Sequence, residues 1–158
     1  MVICLDTSGS MNGLPENIAK ATVLECMKVA YKEKRRCYVY LFGSKNEISE
    51  LELTLDASGF NELLNFLTMS FGGGTDPEGP LNKALDKSDT DEWYKADILL
   101  VSDGEFSVSS GLSRKINNRS EKQGLKLHGI QIGNSHQTAM SRICNPIHHF
   151  SEWIDLQR

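Results

Sequence analysis

Apolar residues run without a break through Val2-Ile3-Cys4-Leu5, the pattern of a strand covered on both faces, and a polar loop follows at once. From Pro15 to about Tyr31 the apolar positions Ala19, Val23, Cys26, Met27 and Ala30 recur at helical spacing, with a proline suited to the first turn. Cys37 to Phe42 is aromatic and β-branched, as a strand requires, and Ile48 to Leu55 alternates imperfectly, as an edge strand does. The link Gly43-Ser44-Lys45-Asn46 is too short for a parallel crossover, so this edge strand should run antiparallel to its neighbour. Phe60, Leu63, Leu64 and Leu67 mark a further helix, which the run Phe71-Gly72-Gly73-Gly74-Thr75-Asp76-Pro77 ends sharply.

A helix from Pro77 to Leu85 follows, with Asp76 placed to cap it. Ile98 to Val101 reads as a second doubly buried strand, ending at Ser102-Asp103-Gly104-Glu105. A mostly polar helix around Ile116, a strand over Leu125 to Ile132, a last helix carrying Met140, Ile143 and Cys144, and a short strand at His148-His149 complete the order. Strands alternating with helices predict an α/β three-layer sandwich, a doubly wound and mainly parallel sheet of about six strands with one antiparallel edge strand. Ligands of such sheets sit beyond the carboxyl ends of the strands, where the winding reverses.

The length of 158 residues fits a single domain spanning 1–158. A strand beginning at the first residue suggests a chain cut from something longer. The charge of -4 argues against nucleic acid as partner, and the basic run Lys32, Lys34, Arg35 and Arg36 reads as a solvated helix end. No apolar run approaches the roughly 20 residues that cross a bilayer. Cys4, Cys26, Cys37 and Cys144 show neither C-x-x-C pairing nor spacing to a histidine, so they read as buried free thiols in a reducing, cytoplasmic setting.

Asp6-Thr7-Ser8-Gly9-Ser10 offers one carboxylate and, at Ser8 and Ser10, two hydroxyls where a strand ends, a metal site in outline, although a helix cap would use the same residues. Gly72 to Asp76 and Asp103 to Glu105 are two more strand-end or helix-start loops able to meet it at one edge. An aspartyl phosphatase would need a second aspartate where Ser8 stands. There is no G-x-x-x-x-G-K-[ST] loop and no G-x-S-x-G elbow. None of His128, His136, His148 and His149 lies in the three loops, and Trp93 and Tyr94 read as cover for the sheet's lower edge.

Taken together, D-x-S-x-S at Asp6, Ser8 and Ser10, the threonine Thr75 in a glycine-rich loop and S-D-G at Asp103 resemble the von Willebrand factor A domain over essentially the whole chain. The resemblance implies a metal-ion-dependent adhesion site, or MIDAS. Ser8, Ser10 and Thr75 would ligate the ion directly or through water, and Asp6 and Asp103 would act largely through bound waters. Gly9, Gly73, Gly74, Asp76 and Gly104 would support the loops. The ion implied is Mg2+ first, with Mn2+ or Ca2+ as alternatives, and a partner's Asp or Glu would complete its shell. The stretches 34–38, 71–76 and 92–97 are similar to the CoxE and ViaA type, which works beside MoxR-type AAA+ ATPases and whose A domain is the C-terminal part of a longer, helical protein, a position the resemblance implies for residues 1–158 as well. The implied function is a non-enzymatic protein-binding module whose partner is such an ATPase or its substrate. The alternatives are a domain whose metal is structural and whose partners bind another face, and a metal-dependent hydrolase.

Overall fold

In the computed structural model, residues 1–133 and 139–150 are described; His136 lies outside them. Six strands form one sheet in the order β3-β2-β1-β4-β5-β6, with β1 at Val2–Asp6, β2 at Cys37–Phe42, β3 at Ile48–Leu53, β4 at Ile98–Ser102, β5 at Leu127–Ile132 and β6 at Ile147–Phe150. Only β3 runs antiparallel, pairing Cys37 with Leu53 and Phe42 with Ile48. The remaining pairs are parallel. The short Gly43–Glu47 link therefore makes the hairpin its length demanded, closed by a Gly43 N–H donated to the Glu47 carbonyl at 3.1 Å.

Five helices lie among the described residues: α1 (Leu14–Lys32), α2 (Phe60–Thr68), α3 (Glu78–Lys87), α4 (Ser110–Gln123) and α5 (Met140–Ile143). Alternation along the strands divides the core between the two faces of the sheet. Val2, Cys4, Tyr40, Phe42, Ile98 and Leu100 face α3, α4 and α5. Ile3, Leu5, Val39, Leu41, Leu99 and Val101 face α1 and α2. This is the doubly wound sandwich expected from the order of elements. Because β1 has β2 on one side and β4 on the other, the winding reverses between β1 and β4. That reversal places the crevice for a ligand beyond Asp6 and Ser102.

Most boundaries move by a residue or two. Helix α3 begins at Glu78 rather than Pro77, so Pro77 and not Asp76 holds the N-cap position, with Asp76 one residue earlier accepting the Glu78 N–H on its Oδ1 at 3.0 Å. The last apolar residues at either side of two strands fall away: β3 stops at Leu53, and β5 starts at Leu127. Trp93 is buried against Tyr38 at the lower edge, but Tyr94 is 70% exposed and covers nothing. Cys4, Cys37 and Cys144 are buried free thiols and Cys26 is half-buried. Burial pushes the Cys37 thiol up to about 11 and Cys144 to about 12, which keeps both protonated and unreactive. No helix among the described residues is long and apolar enough to cross a membrane.

Candidate metal centre

Asp6 closes β1 as a fully buried residue, and its carboxylate is gripped from two directions. Its Oδ1 accepts the Ser8 N–H at 2.8 Å, which folds the chain into a tight turn and sends Ser8 and Ser10 back over the strand end. Its Oδ2 accepts the Ser102 hydroxyl at 2.5 Å across the β1–β4 pairing. Ser102 in turn accepts the Gly104 N–H at 3.0 Å, so one hydroxyl fixes both Asp6 and the turn that follows β4. Ser102 is a site-building residue that the sequence reading left unassigned, because its role lies in a bond to a residue remote along the chain.

The Ser8 and Ser10 hydroxyls lie 3.2 Å apart, Ser8 buried and Ser10 exposed at the rim. Residues Gly9–Met11 form a single 3-10 turn, anchored by the buried Met11. The glycine-rich loop is strapped directly onto it: Gly9 N–H donates to the Gly73 carbonyl at 2.7 Å and Gly72 N–H to the Thr7 carbonyl at 2.9 Å. The approach is so close that a Cβ on Gly9 would stand 3.0 Å from the Gly72 oxygen. Gly72 takes φ of +69°, which a side chain would strain. Gly73 and Gly74 keep ordinary φ values, so only the first of the three glycines is there for its backbone conformation.

Downstream, Gly74 N–H donates to Ser44 Oγ at 2.8 Å and Asp76 N–H to the Gly43 carbonyl at 2.7 Å. Thr75 is thus held between two fixed flanks, half-buried, and its hydroxyl has no hydrogen-bond partner among the described residues. Thr7 ties the loops to β2, its N–H donating to the Phe42 carbonyl at 2.9 Å and its Oγ1 accepting the Phe71 N–H at 3.3 Å. Asp103, half-buried, accepts the Glu105 N–H at 2.9 Å.

Burial is the main force on Asp6, raising its carboxyl above the usual range. Hydrogen bonds from Ser102 and Ser8 oppose it, and the nearby Asp103 charge adds to it. Neither carboxylate forms an ion pair among the described residues. The donor set at this edge is therefore two carboxylates and the hydroxyls of Ser8, Ser10 and Thr75, all oxygen, which suits a hard divalent cation rather than a soft one. No cluster of three or more His, Cys, Asp or Glu side chains placed to hold a metal exists among the described residues, so a cation here would depend on the hydroxyls. On that chemistry the residues fit the group.

The fold and its loops are those of a von Willebrand factor type A domain, and the family model so described matches residues 1–105. The chain belongs to that family. It is 35% identical over 150 residues to the regulatory protein ViaA of Proteus mirabilis (strain HI4320), an alignment covering 94% of this chain and 30% of that protein. The chain thus spans about a third of the length of that curated relative. Among solved structures it resembles an aerotolerance-related membrane protein of Bacteroides fragilis NCTC 9343 carrying multiple mutations to serine, with TM-score 0.57 and 17% identity over 82% of this chain and 65% of that one. It also resembles the conserved hypothetical protein BatB of Bacteroides thetaiotaomicron, with TM-score 0.55 and 16% identity over 84% of this chain and 65% of that one. These two likenesses bear on the fold alone.

Proposed function

We propose that this domain is a cation-dependent protein-binding module serving a regulatory, non-catalytic role in the cytoplasm. Ser8, Ser10 and Thr75 would hold a divalent cation, Mg2+ first, with Asp6 and Asp103 acting largely through water. When bound, the cation supplies an electrophilic position that an Asp or Glu of a partner protein can fill. The observation that carries this reading is the pair of carboxylates, Asp6 and Asp103, left without a protein counter-charge beside two serine hydroxyls 3.2 Å apart. Hydroxyls in place of further carboxylates leave such a cation underneutralised and attractive to an acidic side chain.

The chain's own residues prepare the site. Ser102 and the Ser8 N–H orient the Asp6 carboxylate, and the strapped loop carries Thr75 towards the same edge. The groups bonded to Asp6 are a hydroxyl and an amide, neither a general base nor a general acid, which disfavours Asp6 as a nucleophile in a hydrolase. Kinship with a protein named as a regulator supports the adaptor role. The ViaA likeness makes a MoxR-type AAA+ ATPase, or its substrate, the partner to try first.

Thermal unfolding in chelator and in millimolar Mg2+ or Mn2+ tests the site. Saturation at a hundred times the dissociation constant stabilises by about 2.7 kcal/mol, a rise in Tm on the order of 5–10 °C. Ser10→Ala, at an exposed position, should fold normally and lose most of that rise. Absence of any rise in the parent chain would remove the cation from the reading. Capture of a purified MoxR-type ATPase that persists in chelator would move the partner to another face.

A further inference from the structure

Beneath the glycine-rich loop lies a buried ion pair that none of the candidate ligands touches. Glu16 and Lys20, one turn apart on α1, are 8% and 6% exposed, and Lys20 Nζ stands 2.7 Å from Glu16 Oε1. Replacing such a pair by apolar residues is often neutral for stability, so packing alone does not account for two charges here. What the pair has that apolar side chains lack is direction. Lys20 spends its remaining donors on the carbonyls of Leu67 at 3.1 Å and Met69 at 2.8 Å, the end of α2 and the first step beyond it. Glu16 Oε2 accepts the Ser70 hydroxyl at 3.0 Å, and that hydroxyl also lies 3.4 Å from the Thr7 carbonyl. The next two amides, Phe71 and Gly72, are the ones donated to Thr7.

We propose that the Glu16–Lys20 pair is the positioning element of the cation site: it fixes where the chain leaves α2, and so sets the register in which residues 70–75 lie against the end of β1. Each residue from 69 to 72 is bonded either to this pair or to Thr7, whereas Gly73, Gly74 and Asp76 are held from the β1 and β2 ends. Without the pair, Met69 and Ser70 lose the bonds that fix the exit from α2 and the first half of the loop is left held by Thr7 alone, while the second half keeps its own anchors. Thr75 sits downstream of the half that would drift. The affinity arm of this inference rests on the cation reading above; the loop arm does not.

The experiment uses the full chain and two variants. Lys20→Met keeps the volume of the stem and removes the ammonium; Ser70→Ala keeps the ion pair and removes only its link to the loop. Amide hydrogen exchange of Phe71 and Gly72 is read together with the Mn2+ dissociation constant and the Tm in chelator. Lys20→Met should speed exchange at those two amides about tenfold relative to the β1 and β4 amides, and raise the Mn2+ dissociation constant by about 10-fold or more. Ser70→Ala should show the same pattern more weakly with an unchanged Tm, and it decides the matter if Lys20→Met does not fold. Parent-like exchange at Phe71 and Gly72 in a folded variant overturns the proposal. Faster exchange with unchanged Mn2+ affinity overturns the connection to the site. Should the parent chain take up no Mn2+, the cation reading falls, and the exchange rates still decide whether the pair positions the loop.

Discussion

At the lower edge of the sheet Arg36 reaches Glu52 at 2.6 Å and Glu92 at 3.2 Å with its guanidinium 4.9 Å from the Trp93 ring, whereas at the upper edge Asp6 and Asp103 sit near one another with neither paired to a basic side chain among the described residues. The lower edge is basic in sequence, and its arginines are paired in structure. Arg35 is likewise taken up by Glu33 and Asp97, and Lys87 lies 3.7 Å over the Tyr38 ring. The two arginines of a cationic run that could have suggested a polyanion partner are thus spent on the protein's own acids. The upper edge shows the reverse: its hydrogen bonds are elaborate, yet they orient negative charge without neutralising it. Density of charge along a sequence is therefore a poor guide to where a protein is electrostatically incomplete; what counts is whether the fold returns a counter-charge.

The largest effect that would sharpen this contrast is at the lower edge. Trp93→Ala removes a nearly buried ring packed on Tyr38, Arg36 and Lys87, and should cost about 3–5 kcal/mol, lowering Tm on the order of 10 °C in a thermal melt. The rise in Tm produced by Mg2+ in the folded variant should match the parent's; a lost rise would show that the two edges are coupled.

Asp6→Asn acts at the other edge with smaller effect and a characteristic sign. A carboxyl whose folded pKa is raised holds its proton longer in the native than in the unfolded chain. Its stabilisation is therefore greatest below the unfolded value of about 3.9 and declines as pH rises through the raised native value. In chelator the parent should lose stability relative to Asp6→Asn over that rise, leaving the variant at or above the parent's Tm at neutral pH. Millimolar Mg2+ should reverse the order, because only the parent responds. A pH profile parallel in both proteins would mean that Asp6 carries no such burden.

Arg36→Gln is expected to do least. The side chain is 50% exposed, and surface pairs contribute about 1 kcal/mol at most, so Tm should fall by roughly 2–4 °C and by less in high salt. A larger, salt-insensitive loss would mean that the stacking on Trp93, rather than the charges, holds this edge.

Those differences also explain what could be read in advance. Val2 to Leu5 and Ile98 to Val101 announced themselves because strands buried on both faces must be apolar throughout, and their ends fixed the edge to which Asp6, Ser8, Ser10 and Asp103 belong. The antiparallel edge strand followed from the reach of a short link. What escaped notice were Ser102, Thr7 and the Glu16–Lys20 pair, whose significance lies in contacts with Asp6, Phe42, Leu67 and Ser70, far along the chain. No local periodicity encodes a hydroxyl that meets a carboxylate on another strand. A helical acid and base one turn apart look like any solvated surface pair until burial is known.

The bond from Ser102 to Asp6 closes a span of 96 residues, and the strap from Gly73 to Gly9 joins segments that α1, β2, β3 and α2 separate. Local turns shape each loop, but the upper edge comes into being only when β1 has met β4 and the intervening chain has crossed over. On the proposed reading, a site of this construction vouches for the folding of the sheet's centre, since a chain in which either contact is missing has no such site for a partner to recognise.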